Sequence, residues 1–300
     1  MPDSKRFLHP EAIKRIARLD LRARHIVEGF LSGAHRSPYF GQSVEFLQHR
    51  EYVAGDDMRH IDWKVWAKQN RYYVKQYEED TNLRCTLLVD VSGSMRYGSG
   101  ALNKFEYGST AAVSLAYLLL RQQDAVGCVA FDDSARTTVP QRSKRNHLES
   151  IIAALDVSQP KQKTDIYRIL RHVAESYPRR GMIAVFSDLL CDRPGLFKGL
   201  QLLRQRGHDV MVFHVMDDDE LDFPFNGPTR FEGLEIPEHL SCNPRALREG
   251  YLEAIGAYLD EVRRGCTRHM VDYALIRTSQ PLDAALAAFL SHRLGMHQRN

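Results

Sequence analysis

The chain has 300 residues, of which 43% are hydrophobic and 26% charged, a composition that suits a soluble globular protein of one large or two modest domains. A net charge of +3 is too small to point to nucleic acid, and the longest apolar stretch, residues 111–120, is broken by Ser114 and too short for a bilayer. Five scattered cysteines without a C-x-x-C spacing argue against a disulfide framework and a structural zinc site, and the N-terminus lacks the apolar core of a secretion signal, so a cytoplasmic protein is expected.

Residues 11–30 carry Ile13, Ile16, Ala17, Leu21, Ile26, Val27 and Phe30 between basic residues, which predicts an amphipathic helix ended by Gly33. A loop-like stretch and the turn signal Ala54-Gly55-Asp56-Asp57 precede a short helical stretch over 61–67. Residues 72–77 are rich in β-formers and predict a strand that forms an antiparallel hairpin with the apolar run 85–89. Residues 1–80 are thus expected to form an N-terminal extension, and 81–300 the main domain.

From there the pattern alternates. Helices are predicted over 104–123, 147–155, 165–177, 195–206 and 244–264, and apolar strands over 85–89, 125–131, 182–186, 210–215 and 271–278. Short β-rich runs separated by helices predict an α/β fold, a doubly wound, mainly parallel sheet covered on both faces. Ligands of such sheets gather outside the carboxyl ends of strands, at a topological switch point. The acidic segment Asp217-Asp218-Asp219-Glu220 reads as a solvated loop.

At one such strand end lies Asp90-Val91-Ser92-Gly93-Ser94-Met95. A carboxylate and two hydroxyls at alternate positions can turn toward one point and offer only oxygen, which suits a hard cation such as Mg²⁺, with Mn²⁺ or Ca²⁺ as alternatives. The same hexapeptide suits a Ser/Gly turn that caps a helix, and both readings stand on these residues alone. Ser187-Asp188 follows its strand as Asp90 follows Val89, and Thr164 sits on a loop that opens a predicted helix. Asp192 is a second choice to Asp188. Taken singly, Thr164 and Asp188 also suit caps and turns.

Together, D-x-S-x-S after the first core strand, a Thr on a middle loop and an Asp after a later strand resemble the metal-ion-dependent adhesion site of von Willebrand factor A domains. The resemblance implies that Ser92, Ser94 and Thr164 coordinate Mg²⁺ directly, that Asp90 and Asp188 act mostly through bound water, and that a partner's Asp or Glu fills the open position. Two departures stand out: the Asp188 loop lacks the Asp-Gly pair common in that family, and Lys163 replaces a small residue before Thr164.

A longer signature is similar to that of a bacterial domain-of-unknown-function family, number fifty-eight. Its N-terminal part comprises Gly33 to Ser37, Gly41, Glu45-Phe46, Arg50-Glu51-Tyr52, Gly55 to Trp63 and Tyr77-Glu78. Its C-terminal part comprises Asp219 to Phe225, Tyr251-Leu252, Asp272-Tyr273, Thr278 and Pro281-Leu282. That resemblance implies a von Willebrand factor A-like domain and a MoxR-type AAA+ ATPase as partner. Many such proteins carry transmembrane helices ahead of the signature; this sequence is expected to be a member without membrane insertion. The Asp56, Asp57, Arg59, His60 and Asp62 cluster suits either local ion pairs or a second acid/base group.

The expected function is therefore a non-catalytic, Mg²⁺-dependent protein-interaction module, an adaptor or chaperone partner of that ATPase. The alternative is a metal-dependent hydrolase in which Asp90 or Asp188 activates water. P-loop, G-x-S-x-G and H-E-x-x-H motifs do not occur, so nucleotide hydrolysis, serine hydrolysis and zinc proteolysis lack their usual parts.

Overall fold

The computed structural model describes residues 18–33, 46–51, 65–66, 72–77, 83–144, 146–156, 165–235, 238–283 and 286–288. The chain divides into two compact units, Arg36–Asn82 and the combination of Met1–His35 with Leu83–Asn300. Helix α1 (Leu19–Gly33) belongs to the larger unit, where it packs on helix α2 (Lys104–Arg121) and buries Ala23, Ile26 and Val27 at an i, i+3, i+4 spacing.

In the smaller unit, strands β1 (Phe46–Glu51) and β2 (Tyr73–Tyr77) pair antiparallel. The hairpin expected between residues 72–77 and 85–89 does not form. Strand β3 (Arg84–Asp90) is flanked on both edges by parallel neighbours, β4 (Ala125–Phe131) and β6 (Met182–Ser187), so its backbone groups are already paired.

The larger unit is built on a six-stranded sheet of order β10-β7-β6-β3-β4-β5, with β7 (Asp209–Met216) and β10 (Asp272–Arg277) completing the parallel part. Strand β5 (Ala135–Arg142) pairs antiparallel with β4 and closes one edge; its alternating, half-polar sequence sets it apart from the apolar core strands. From β3 the chain moves first to β4 on one side and later to β6, β7 and β10 on the other. The gap between the carboxyl ends of β3 and β6 is therefore the switch point of this α/β sheet.

Alternate residues of each strand face opposite layers. Leu88, Val185 and Val212 join Ile169, Leu170 and Val173 of α4 (Ile166–Ser176), Leu196, Leu200 and Leu203 of α5 (Arg193–Gln205), and Val262 and Cys266 of α7 (Pro244–Arg268). Gly199 lets α5 approach α4 closely, since a Cβ there would lie 2.6 Å from Leu170 Cδ1. On the other face lies α2, beside α3 (His147–Asp156). Phe186 and Phe213 stack at 4.5 Å, and Gly108 of α2 comes near Phe186, Val215 and Met95.

Helix α2 starts with a capping box in which Asn103 and Glu106 exchange side-chain and backbone hydrogen bonds, placing Lys104 in its first turn, fully buried. Asp217 to Glu220 is not a solvated loop: Asp217 is buried and caps the short helix α6 (Asp218–Asp222). Its carboxylate accepts from the Ser99 backbone and hydroxyl and from Thr278 Oγ1, and burial is outweighed by these bonds, which hold it below the usual carboxylate range. Strands β8 (Thr229–Glu232) and β9 (His239–Cys242) form a separate antiparallel hairpin between α6 and α7. Among the described residues no helix is long and apolar enough to cross a membrane.

Candidate metal centre

Asp90 is the last residue of β3, and the chain leaves it through a single 3-10 turn, Gly93–Arg96. Val91 N–H donates to Phe131 O of the adjacent strand at 2.7 Å, so the turn starts from a fixed base. Asp90 Oδ1 accepts from Ser92 N at 2.9 Å, an Asx-type bond that folds the loop back over the strand end. The consequence is that Ser92 Oγ and Ser94 Oγ lie 3.1 Å apart. Two ligands at right angles about an ion with bonds of 2.0–2.1 Å lie about 3 Å from one another. The hydroxyl pair therefore fits one edge of a Mg²⁺ octahedron.

The neighbouring strand contributes Ser187 and Asp188, both buried. Ser187 Oγ donates to Asp90 Oδ2 at 2.5 Å and accepts from Leu189 N at 2.9 Å, tying the ends of β3 and β6 together. Burial, and then the charge of Asp188, raise Asp90 to about 7, although its hydrogen bonds pull the other way.

Asp188 has a partner that the sequence reading did not include. Lys104 Nζ donates to Asp188 Oδ2 at 2.7 Å and to Glu220 Oε1 at 2.6 Å, with the lysine wholly buried. Burial disfavours the ammonium, but the two carboxylates outweigh it and hold Lys104 above its usual value. One oxygen of Asp188 thus faces a built-in cation, and the other accepts from Leu190 N at 3.2 Å.

The backbone of this loop is also clamped. Leu189 sits at φ +54, a left-handed conformation disfavoured for a branched side chain. Tyr258 OH donates to Leu189 O at 2.7 Å, and His214 Nε2 lies 2.8 Å from Asp188 O. A carbonyl only accepts, so Nε2 carries the proton and Nδ1 accepts from Tyr273 OH at 2.8 Å. Burial lowers His214 to about 4, keeping it neutral in this role.

Of the residues expected to hold a metal, Asp90, Ser92, Ser94 and Asp188 come together at the switch point. Thr164, like Lys163, lies outside the described residues. Its neighbour Asp165 donates its backbone N–H to Asp132 O, just past β4, and caps α4, so helix α4 starts at the same edge of the sheet. Asp192 is committed to capping α5, accepting from Gly195 N at 2.8 Å. Lys104, Ser187, Glu220, His214 and Tyr258 were not picked out as site residues from the sequence. A histidine inside the apolar run 210–216 is the signal that could have marked His214; Lys104, between Asn103 and Phe105-Glu106, has no such local signal, and neither do their partners.

The family model described as "Protein of unknown function DUF58" matches residues 48–258. The chain belongs to that family. The uncharacterized protein Rv1480 of Mycobacterium tuberculosis is 26% identical over 294 residues, covering 95% of this chain and 90% of the relative. The uncharacterized protein Mb1516 of Mycobacterium bovis matches to the same extent. Among solved structures, the chain is similar to the conserved hypothetical protein BatB from Bacteroides thetaiotaomicron, with 14% identity, 71% of this chain and 99% of that one covered, and a TM-score of 0.47. An aerotolerance-related membrane protein from Bacteroides fragilis is similar at 20% identity, with 69% and 97% covered and a TM-score of 0.48.

In this DUF58 chain, several of the residues singled out toward the C-terminus bond to α2, α6, β7 or the Asp217 cap. Glu220 takes the lysine, Tyr251 OH donates to Glu220 O, Tyr273 holds His214, and Thr278 holds Asp217. Pro281 O accepts from Tyr107 OH at 3.4 Å. Apart from Gly33 at the end of α1 and the residues of β1 and β2, the N-terminal signature, including Gly55 to Trp63, lies outside the described residues.

Proposed function

We propose that this chain is a non-catalytic, Mg²⁺-dependent protein-interaction module of the von Willebrand factor A-like type, which docks a carboxylate of a partner protein. The observation that carries the reading is the Ser92–Ser94 hydroxyl pair, spaced like neighbouring ligands of an octahedral cation and set beside buried Asp90 at the switch point. Ser92 and Ser94 would hold the ion directly, with Asp90 and Asp188 acting through its water shell and Thr164 as a further ligand. When bound, the ion supplies a position that attracts an incoming Asp or Glu.

Lys104 supports binding over turnover. Its ammonium is locked between Asp188 and Glu220, which makes it a fixed cation rather than a proton acceptor. The partner follows from the family resemblance: a MoxR-type AAA+ ATPase, met in the cytoplasm, for which this chain acts as adaptor or chaperone partner.

The test is titration of purified chain with Mn²⁺ as a Mg²⁺ surrogate, followed by capture of the ATPase with Mg²⁺ or EDTA. Ser92→Ala with Ser94→Ala is expected to weaken Mn²⁺ binding at least tenfold and to abolish Mg²⁺-dependent capture, with the fold intact by circular dichroism. Capture that is equal with and without Mg²⁺ would remove the metal-bridged model. Phosphoester or peptide turnover lost in the double variant would replace it with the hydrolase.

A further inference from the structure

The β8–β9 hairpin pairs from Thr229↔Cys242 to Glu232↔His239 and is fastened at its base by aromatic rings. Phe231 stacks on Phe223 at 5.8 Å and meets Phe225 edge-on at 5.1 Å, while Phe223 stacks on Tyr251 of α7 at 4.3 Å. Gly233 N–H donates to Glu238 O at 2.8 Å, and beyond it Leu234 and Glu235 reach the loop that follows β3.

Two contacts define that meeting. Ser94 N–H donates to Glu235 Oε1 at 3.3 Å, across 141 positions of sequence. A Cβ built on Gly93 would lie 2.8 Å from Leu234 O and 3.0 Å from Glu235 Cγ, so the hairpin passes too close for any side chain at position 93. Gly93 does not have a positive φ, so its glycine is demanded by this approach rather than by its dihedrals.

We infer that Glu235 is a carboxylate supplied in cis to the metal site: the hairpin lays the chain's own acidic side chain on the Ser92–Ser94 loop, where a partner's Asp or Glu would dock. The inference rests on the metal-site reading and adds self-occupancy to it. A partner must then displace the hairpin tip. The tip is suited to displacement, because two four-residue strands outside any larger sheet are marginally stable and the 3.3 Å bond is long for N–H···O. A competing segment would need a carboxylate on a backbone that passes Gly93 as closely as Leu234 does.

The experiment loads the full chain with Mn²⁺ and reads the relaxivity of water protons, which reports the exchangeable waters on the bound ion. Glu235→Gln removes the charge with little change of shape, and Gly93→Ala pushes the Leu234–Glu235 segment away while leaving the carboxylate's charge in place. Both variants are expected to raise the relaxivity of bound Mn²⁺ by about one exchangeable water relative to wild type. Saturable Mn²⁺ binding with the same relaxivity in wild type and both variants would overturn this inference and leave the metal site standing. No saturable binding to the wild-type chain would overturn the metal site and this inference with it.

Discussion

Asp90 ends β3 and Asp188 directly follows the neighbouring parallel strand β6; the two are equally buried, yet their surroundings do different work. Asp188 meets a fixed ammonium that also holds Glu220, and its backbone is clamped by His214 and Tyr258. Asp90 meets the Ser92 amide and the Ser187 hydroxyl, beside a hydroxyl pair at octahedral spacing, and its carboxyl is raised to about 7. The difference teaches that the β6 end carries a permanent internal cation, whereas the β3 end has the chemistry for an exchangeable one.

The largest effect that tests this contrast is Lys104→Ala. It would leave Asp188 and Glu220 facing each other in a buried site, and a loss of about 3–5 kcal/mol is expected in urea unfolding. A double-mutant cycle of Lys104→Met with Asp188→Asn should recover a large part of that loss; two additive losses would dissolve the idea of a dedicated pair.

The pH dependence of the metal-free chain sharpens the contrast. Asp90 is raised from 3.8 to about 7, so its contribution to stability is present below 3.8 and is lost as pH rises through about 7. His214 is lowered from 6.5 to about 4, so its contribution is present above 6.5 and is lost as pH falls through about 4. Between those limits the two slopes oppose. Asp90→Asn should therefore make stability rise more steeply from pH 4 to 6.5, and His214→Gln should make it fall over the same range, each by on the order of a few kcal/mol. Thermal midpoints measured across this range decide; parallel curves for wild type and both variants would count against the assigned environments.

The smallest effect is Tyr258→Phe. Loss of the bond to Leu189 O, which helps hold a left-handed residue, should cost about 1 kcal/mol in chemical denaturation. No measurable change would show that the Asp188 loop keeps its shape without α7.

The alternation of apolar runs with helices was enough to read a mainly parallel α/β sheet, because a strand buried on both faces leaves a continuous apolar signature. β5 was missed, since its alternating pattern belongs to an edge strand, and so were β8 and β9, each only four residues long. The strand over 72–77 was read correctly but given the wrong neighbour, because pairing is decided by which edges are open and not by proximity in sequence.

At the site, Asp90, Ser92 and Ser94 were legible because their spacing is local. Asp188 was legible because it directly follows an apolar strand. The ion pair of Asp188 was not, since it depends on Lys104, 84 positions away, and on the capped helix that brings Glu220 to the same ammonium. Glu235 was invisible for the same reason. By itself the sequence determined the layers of the fold and the oxygen donors at one strand end, because both follow from residue type and short-range period. Only the tertiary structure decided which carboxylate is neutralised from within and which acidic side chain lies on the Ser92–Ser94 loop, because charge pairing in a buried site depends on distance in space, and that is set by the packing of elements far apart in the chain.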